Sequence, residues 1–320
     1  MPAGRRTTAS GTRRLVVGGA LLACLAACAF PGQDAGGRVS PPGRPEGEFR
    51  SAQREGSPVS LPDTLTGGVI PGERVKRLLH VADAEWRRWG AQVVRIPDGD
   101  CACAIVVSGE CEPIADGCGQ EQNVALCPVV NEFWAHIRLL SGESFSHDCS
   151  QTGVCEHTLP AGRLVLKTPG WSAAFLSAVM HRAGFAAAEF LPSPYHANYV
   201  VAARDGLTTA YTVVPTPAYV EPGDIICTTR FAAIAQYTPD EIALLTPNDG
   251  STGATPMHCD LVVAVDLTQR RAGAIGGNVM QSVSMSDIAL DAQGRLSPRV
   301  NAQRSWLLVM KLRPELRAAN

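Results

Sequence analysis

The stretch Pro169-Gly170-Trp171-Ser172-Ala173-Ala174-Phe175-Leu176-Ser177-Ala178-Val179-Met180 decides how the rest of this chain is read. Its apolar residues recur at helical spacing, a Pro-Gly pair opens it, and Gly184 supplies a C-terminal stop. A serine at the start of such a helix has two possible employments. As an N-cap, its hydroxyl satisfies an otherwise unpaired backbone N–H, the commonest use of serine there. As a nucleophile, it sits beside first-turn N–H groups that can stabilise an oxyanion. Downstream, Ser193-Pro194 predicts an N-cap and first-turn proline for another helix through Tyr195, His196 and Tyr199. His196 and Tyr199 share one face of that helix, either lining a cleft or packing in the core.

Upstream, Val75, Leu78, Leu79, Val81, Ala82, Trp86 and Trp89 predict a helix over 73–89, ended by Gly90. A further helix is expected around 130–140. After Pro222-Gly223-Asp224 the pattern changes to strands, expected at 225–228, 258–265, 271–275, 279–285 and 306–312. The third runs into Gly276-Gly277-Asn278. Helices first and antiparallel strands afterwards make this an α+β fold.

Apolar residues are 45% of the chain and charged residues 18%, the composition of a globular protein. The formal net charge of −2 leaves no basic surface for nucleic acid. Of eleven cysteines, Cys101, Cys103, Cys111, Cys118, Cys127, Cys149 and Cys155 crowd one segment, about 99–157. That segment reads as a disulfide-rich insertion, with zinc as the lesser alternative because no Cys-x-x-Cys pairs occur; no metal or other cofactor is expected. Cys227 and Cys259 fall on successive strands, either joined across them or as free buried thiols.

The N-terminus carries its own message. Arg5, Arg6, Arg13 and Arg14 precede an apolar run from Leu15 to Ala27, too short to span a bilayer and typical of a secretory signal. Leu25-Ala26-Ala27-Cys28 resembles a bacterial lipobox, which implies cleavage before Cys28 and lipid on its sulfur. Residues 29–66, rich in Pro, Gly, Ser and charge, read as a flexible tether, reaching on the order of 30 Å as a random coil. One domain is expected over 67–320. Ala29 after the lipidated cysteine favours the outer membrane over the inner, with the domain facing the periplasm.

Five segments together carry a family resemblance: Trp171-Ser172-Ala173-Ala174-Phe175, residues 193–199, Pro222-Gly223-Asp224, His258-Cys259-Asp260 and Gly276-Gly277-Asn278. In this order they resemble the bacterial domain of unknown function 2272. That family is in turn similar to the NlpC/P60 and CHAP papain-like cysteine hydrolases, which cut peptide or amide bonds in bacterial cell walls. The resemblance implies a papain-like domain with Ser172 at the nucleophile place, His258 at the base place and Asn278 at the orienting place. Serine stands where those relatives have cysteine, and a hydroxyl must lose its proton to a base during attack. Asp260 is an alternative partner for His258, on the same strand face; Asn278 after two glycines also fits a turn. Trp171 either floors the groove or packs.

Three functions compete on these residues. One is a Ser-His-Asn hydrolase of amide or ester bonds in the cell envelope, with peptidoglycan peptides as substrate. Another is a catalytically inactive envelope lipoprotein that binds a wall fragment or a protein partner in the same cleft. A third is an assembly lipoprotein docking through its cysteine-rich segment.

Overall fold

The computed structural model describes residues 72–96, 104–107, 110–113, 125–142, 145–147, 149, 170–229, 238–247, 255–279, 281–301 and 304–318. All of them belong to one unit spanning Pro58–Asn320. The signal segment with Cys28, the tether, Cys101, Cys103, Cys118 and Cys155 lie outside the described residues.

Helices α1 (Glu73–Arg88), α2 (Cys127–Ser141), α3 (Ser172–Arg182) and α4 (His196–Arg204) precede most of the strands. The expected helix stops are real. Gly90 and Gly184 take left-handed backbone, φ 88° and 89°. After Gly184, the Phe185 N–H reaches Met180 O at 3.1 Å and the Gly184 N–H reaches His181 O at 2.9 Å, closing α3 with a Schellman motif. Ser193 departs from its expected place. The cap of α4 is Tyr195, and the Ser193 hydroxyl instead accepts from the Tyr195 N–H at 3.1 Å, forming a short turn before the helix.

The main sheet comprises β1 (Val93–Ile96), β4 (Tyr211–Pro215), β5 (Ile225–Thr229), β6 (Met257–Asp266), β7 (Arg271–Val279), β8 (Ser282–Ala289) and β10 (Arg304–Leu312). Their order is β1-β8-β7-β6-β5-β10-β4, with β9 (Arg299–Asn301) beside β10; β2 (Ala104–Val107) and β3 (Glu110–Pro113) pair separately. The expected all-antiparallel sheet is corrected here to a mixed one, because β1 runs parallel to β8, Val93 opposite Met285. A parallel neighbour needs a long crossover, and the chain from the end of β1 to the start of β8, which carries α2, α3 and α4, supplies it. Four-residue β1 is too short to show an alternation, so its partner could not be read locally. The fourth expected strand also begins later, at Ser282.

Strand alternation sorts the core into two faces. Cys259, Leu261 and Val263 of β6 join Ile225, Ile275, Leu308 and Met310 against α1–α4. Val262 joins Ile226, Ala274, Trp306 and Val309 on the other. Helix α3 is buried from Ser172 through Met180, between neighbouring helices and the sheet. A helix enclosed on every side must be apolar on every side, and its alanines let those neighbours approach. Helix α2, inside the cysteine-rich segment, contributes Phe133, Trp134 and Ile137 to the same core, so this part of the segment is integral to the domain.

Two disulfides are described. Cys227 and Cys259 are directly opposite each other on β5 and β6 and are joined, the cross-strand alternative; Cys127 at the start of α2 is joined to Cys149.

Pro222-Gly223-Asp224 is a structural clamp. Gly223 has φ 93°, and the wholly buried Asp224 carboxylate turns back to accept from the Glu221 N–H at 2.8 Å. It also accepts from the Leu312 N–H at 2.9 Å, Lys311 Nζ at 2.6 Å and the Arg317 guanidinium. This single side chain ties the entrance of β5 to the end of β10 and to α5 (Pro314–Ala318).

Candidate active site

Trp171 and Ser172 open α3. Trp171 is buried between Trp89 and Phe133, ring centroids 5.2 and 5.7 Å away, so of its two readings it packs. That aromatic stack fixes where α3 begins and hence where Ser172 sits. The Ser172 hydroxyl is not spent on capping: Trp171 holds the N-cap position, and no side chain caps the helix. Instead Ser172 Oγ lies 2.6 Å from His196 Nε2.

His196 comes from the first turn of α4, and its position is set by a second contact between the same two segments. The Ser177 hydroxyl on α3 donates to Ser193 O at 3.2 Å and accepts from the Ser193 N–H at 3.1 Å. This pins the start of the α4 approach to α3. The other ring nitrogen of His196, Nδ1, is hydrogen-bonded to the Tyr199 hydroxyl, three residues along the same helix. His196 and Tyr199, singled out from sequence as cleft or core residues, are thus in direct line with Ser172.

A second histidine stands beside the first. The His258 ring centroid is 5.3 Å from that of His196, edge to face. His258 Nε2 lies 2.7 Å from Asp260 Oδ1, and Asp260 Oδ2 accepts from the Ser286 hydroxyl at 3.2 Å. A carboxylate can only accept, so the proton between them sits on His258 Nε2. Neutral His258 then has Nδ1 as its proton-accepting atom.

The glycines of Gly276-Gly277-Asn278 have a steric explanation. A Cβ at Gly276 would lie 1.8 Å from Asp260 Oδ1; at Gly277 it would lie 2.5 Å from Phe175 Cβ and 2.8 Å from Trp171 Cζ3. Gly276 makes room for the carboxylate behind His258, and Gly277 lets β7 approach the start of α3. Asn278 is half-buried at the bulge between Gly276 and Val279, with φ 55°. Asparagine tolerates that left-handed backbone better than most residues.

Residues 121–312, more than half of the chain, match the sequence profile of a family described as uncharacterized protein conserved in bacteria, DUF2272. The chain belongs to the DUF2272 family. No curated protein and no solved structure matches it.

All five segments that carried the resemblance fall inside the matched region of this DUF2272 chain, and the structure gives each a place. One sets Ser172 at a helix start, one brings His196, one clamps the C-terminus, one carries His258 and Asp260, and one clears space for them. The surroundings are closed: Ser172 is 2% exposed, His196 and His258 4% each, and Asp260 0%. In such a low-dielectric site, hydrogen bonds and charges act more strongly than in water. Sequence reasoning gave no special weight to Ser177 and Ser286, because an isolated serine on a helix or strand carries no signal until its partner is in place. Among the described residues no group of three or more His, Cys, Asp or Glu is arranged to hold a metal ion.

Proposed function

We propose that this protein is a serine-dependent hydrolase of amide or ester bonds in the bacterial cell envelope, built on a papain-like frame. The observation that carries the reading is the 2.6 Å approach of Ser172 Oγ to a histidine nitrogen at the first turn of α3. An imidazole at that distance can take the hydroxyl proton as the oxygen attacks an acyl carbon. First-turn N–H groups of α3 are the natural donors for the oxyanion that forms. A second imidazole, oriented by a buried carboxylate, adds acid–base capacity in the same site.

Cell-envelope placement rests on the N-terminal sequence, where Leu25-Ala26-Ala27-Cys28 resembles a lipobox. A lipid on Cys28 and a tether over 29–66 would hold the domain near cell-wall polymer, making peptidoglycan stem peptides the leading substrate class. Metabolic labelling with a palmitate analogue, lost on Cys28→Ala, tests the anchor. The catalytic reading is tested with the purified full chain in detergent, on peptidoglycan fragments and model esters. Turnover is expected, and turnover indifferent to Ser172→Ala would overturn the reading.

Burial of Ser172 favours one alternative, a non-catalytic envelope lipoprotein in which the same polar cluster rigidifies a binding cleft. It predicts saturable binding of a wall fragment without turnover.

A further inference from the structure

We propose that His196, on the second helix of the Ser172 pair, is the general base of the site, with Tyr199 as the positioning residue that holds its tautomer. The proposal rests on the hydrolase reading above and assigns the proton-transfer role within it. Its basis is the unbroken line Ser172 Oγ, His196 Nε2, His196 Nδ1, Tyr199 hydroxyl, in which both nitrogens of one ring are engaged.

Two proton arrangements satisfy that line. In one, the Tyr199 O–H donates to Nδ1 and Nε2–H donates to Ser172, leaving the serine an acceptor and inert as a nucleophile. In the other, Nδ1–H donates to the Tyr199 oxygen and the Ser172 O–H donates to Nε2. Only the second prepares Ser172 for attack, and it asks of Tyr199 what a carboxylate does in an Asp-His-Ser triad: to fix which nitrogen carries the proton. A phenol does so without a formal charge. The charge needed to offset a His196 imidazolium comes from behind the neighbouring ring, where Asp260 holds His258 at 2.7 Å and the His258 ring lies 5.3 Å from His196.

The steps balance as follows. Ser172 Oγ bonds to the substrate carbonyl carbon while its proton passes to His196 Nε2. The C–N or C–O bond of the tetrahedral intermediate breaks, and His196 returns that proton to the leaving amine or alcohol. Water then attacks the acyl-serine ester and gives a proton to Nε2. Collapse of the second intermediate releases the acid, and the proton goes back to Ser172 Oγ. No oxidant, reductant or metal enters.

The test uses the full chain in detergent and a fluorophosphonate that phosphonylates activated serines, read by intact mass and by rate against pH. Wild type is expected to be labelled on Ser172, and Ser172→Ala not at all. His196→Gln should slow labelling about 100-fold or more, the usual contribution of a general base. Free imidazole should restore part of the rate to His196→Gly, an outcome no merely structural role would give, and one that stands even if the other variant folds poorly. Tyr199→Phe should change the shape of the pH–rate profile. Ser172-dependent labelling that is within threefold of wild type in His196→Gln overturns the role of His196 and leaves the hydrolase reading standing. Wild type unlabelled and inactive on esters overturns both.

Discussion

Gly276→Ala offers the sharpest check on how the site is built. The added methyl would sit 1.8 Å from Asp260 Oδ1, 2.8 Å from its Cγ and 3.0 Å from Val279 Cγ2, where ordinary contact begins at 3.4 Å. The carboxylate must therefore retreat by roughly 1.5 Å to reach ordinary van der Waals separation. Asp260 is fully buried and its side chain is short, so it has no solvent to retreat into. Lengthened by that much, its 2.7 Å bond to His258 is no longer a hydrogen bond. Overpacking a core costs about 1–3 kcal/mol, and a lost hydrogen bond to a buried charged group about 1.5–3 kcal/mol. The expected loss is about 3–5 kcal/mol, or a melting temperature lower by roughly 6–20 °C for a domain of this size. Circular-dichroism melts of the full chain in detergent measure the first effect. Histidine-ring proton–nitrogen spectra measure the second, as loss of the His258 Nε2–H signal. In an Asp260→Ala background the same methyl should cost less than about 1 kcal/mol, because the atom it strikes is gone. Gly273→Ala is the control on the same strand: its Cβ meets the end of flexible Met285 at 3.2 Å and should be tolerated. If Gly276→Ala melts like wild type and keeps the His258 signal, the carboxylate does not occupy the place argued for it.

Asp224→Ala should destabilise the chain by about 3–5 kcal/mol, since Lys311, Arg317 and the Leu312 N–H lose a buried acceptor together; denaturant unfolding measures it, and a loss under 1 kcal/mol refutes the clamp. Replacing Cys227 and Cys259 together by alanine opens a loop of sequence separation 32 and should cost about 3–4 kcal/mol from chain entropy; an unchanged urea midpoint would refute it. Stability should also fall below about pH 6.5 through His136. Arg182 Nε donates to His136 Nε2 at 3.1 Å, so His136 is neutral with its proton on Nδ1, 3.0 Å from His181 Nδ1. Burial first, then Arg182 and His181, hold its pKa below the ordinary 6.5, opposed by Glu132. Glu85 and Arg88 of α1 complete the charged surroundings. A lowered folded pKa means the unfolded chain takes up the proton first. Stability is therefore lost as pH falls from 6.5 toward the folded value, and His136→Gln should flatten that part of the curve. The carboxylate Glu132, lowered mainly by its hydrogen bond to Arg88, acts separately, below pH 4.5.

The features legible in the sequence are those set by neighbours along the chain. The 73–88 and 172–182 helices show their spacing and glycine stops within a few turns, and the β5, β6, β7 and β10 strands show as short, largely apolar runs after the Pro222-Gly223-Asp224 turn. Cys227 and Cys259 were readable as possible partners because consecutive strands tend to pair. Ser172, His258 and Asn278 could be named through the family resemblance of their motifs, and His196, Tyr199 and Asp260 through the helix and strand faces they share with neighbours. Their mutual arrangement could not be read. That Ser172 meets His196 depends on Ser177 pinning the Ser193 turn to α3, and on a tryptophan from α1 and a phenylalanine from α2 stacking on Trp171. That β1 runs parallel at the sheet edge depends on a partner nearly two hundred residues away, Val93 opposite Met285. The role of Gly276 appears only when β6 lies alongside and the Asp260 carboxylate fills the space a side chain would need. Local sequence fixes backbone preference through sterics and hydrogen bonds a few residues long. Which polar groups end up facing one another follows from how the helices pack on the sheet, and only the assembled core decides that.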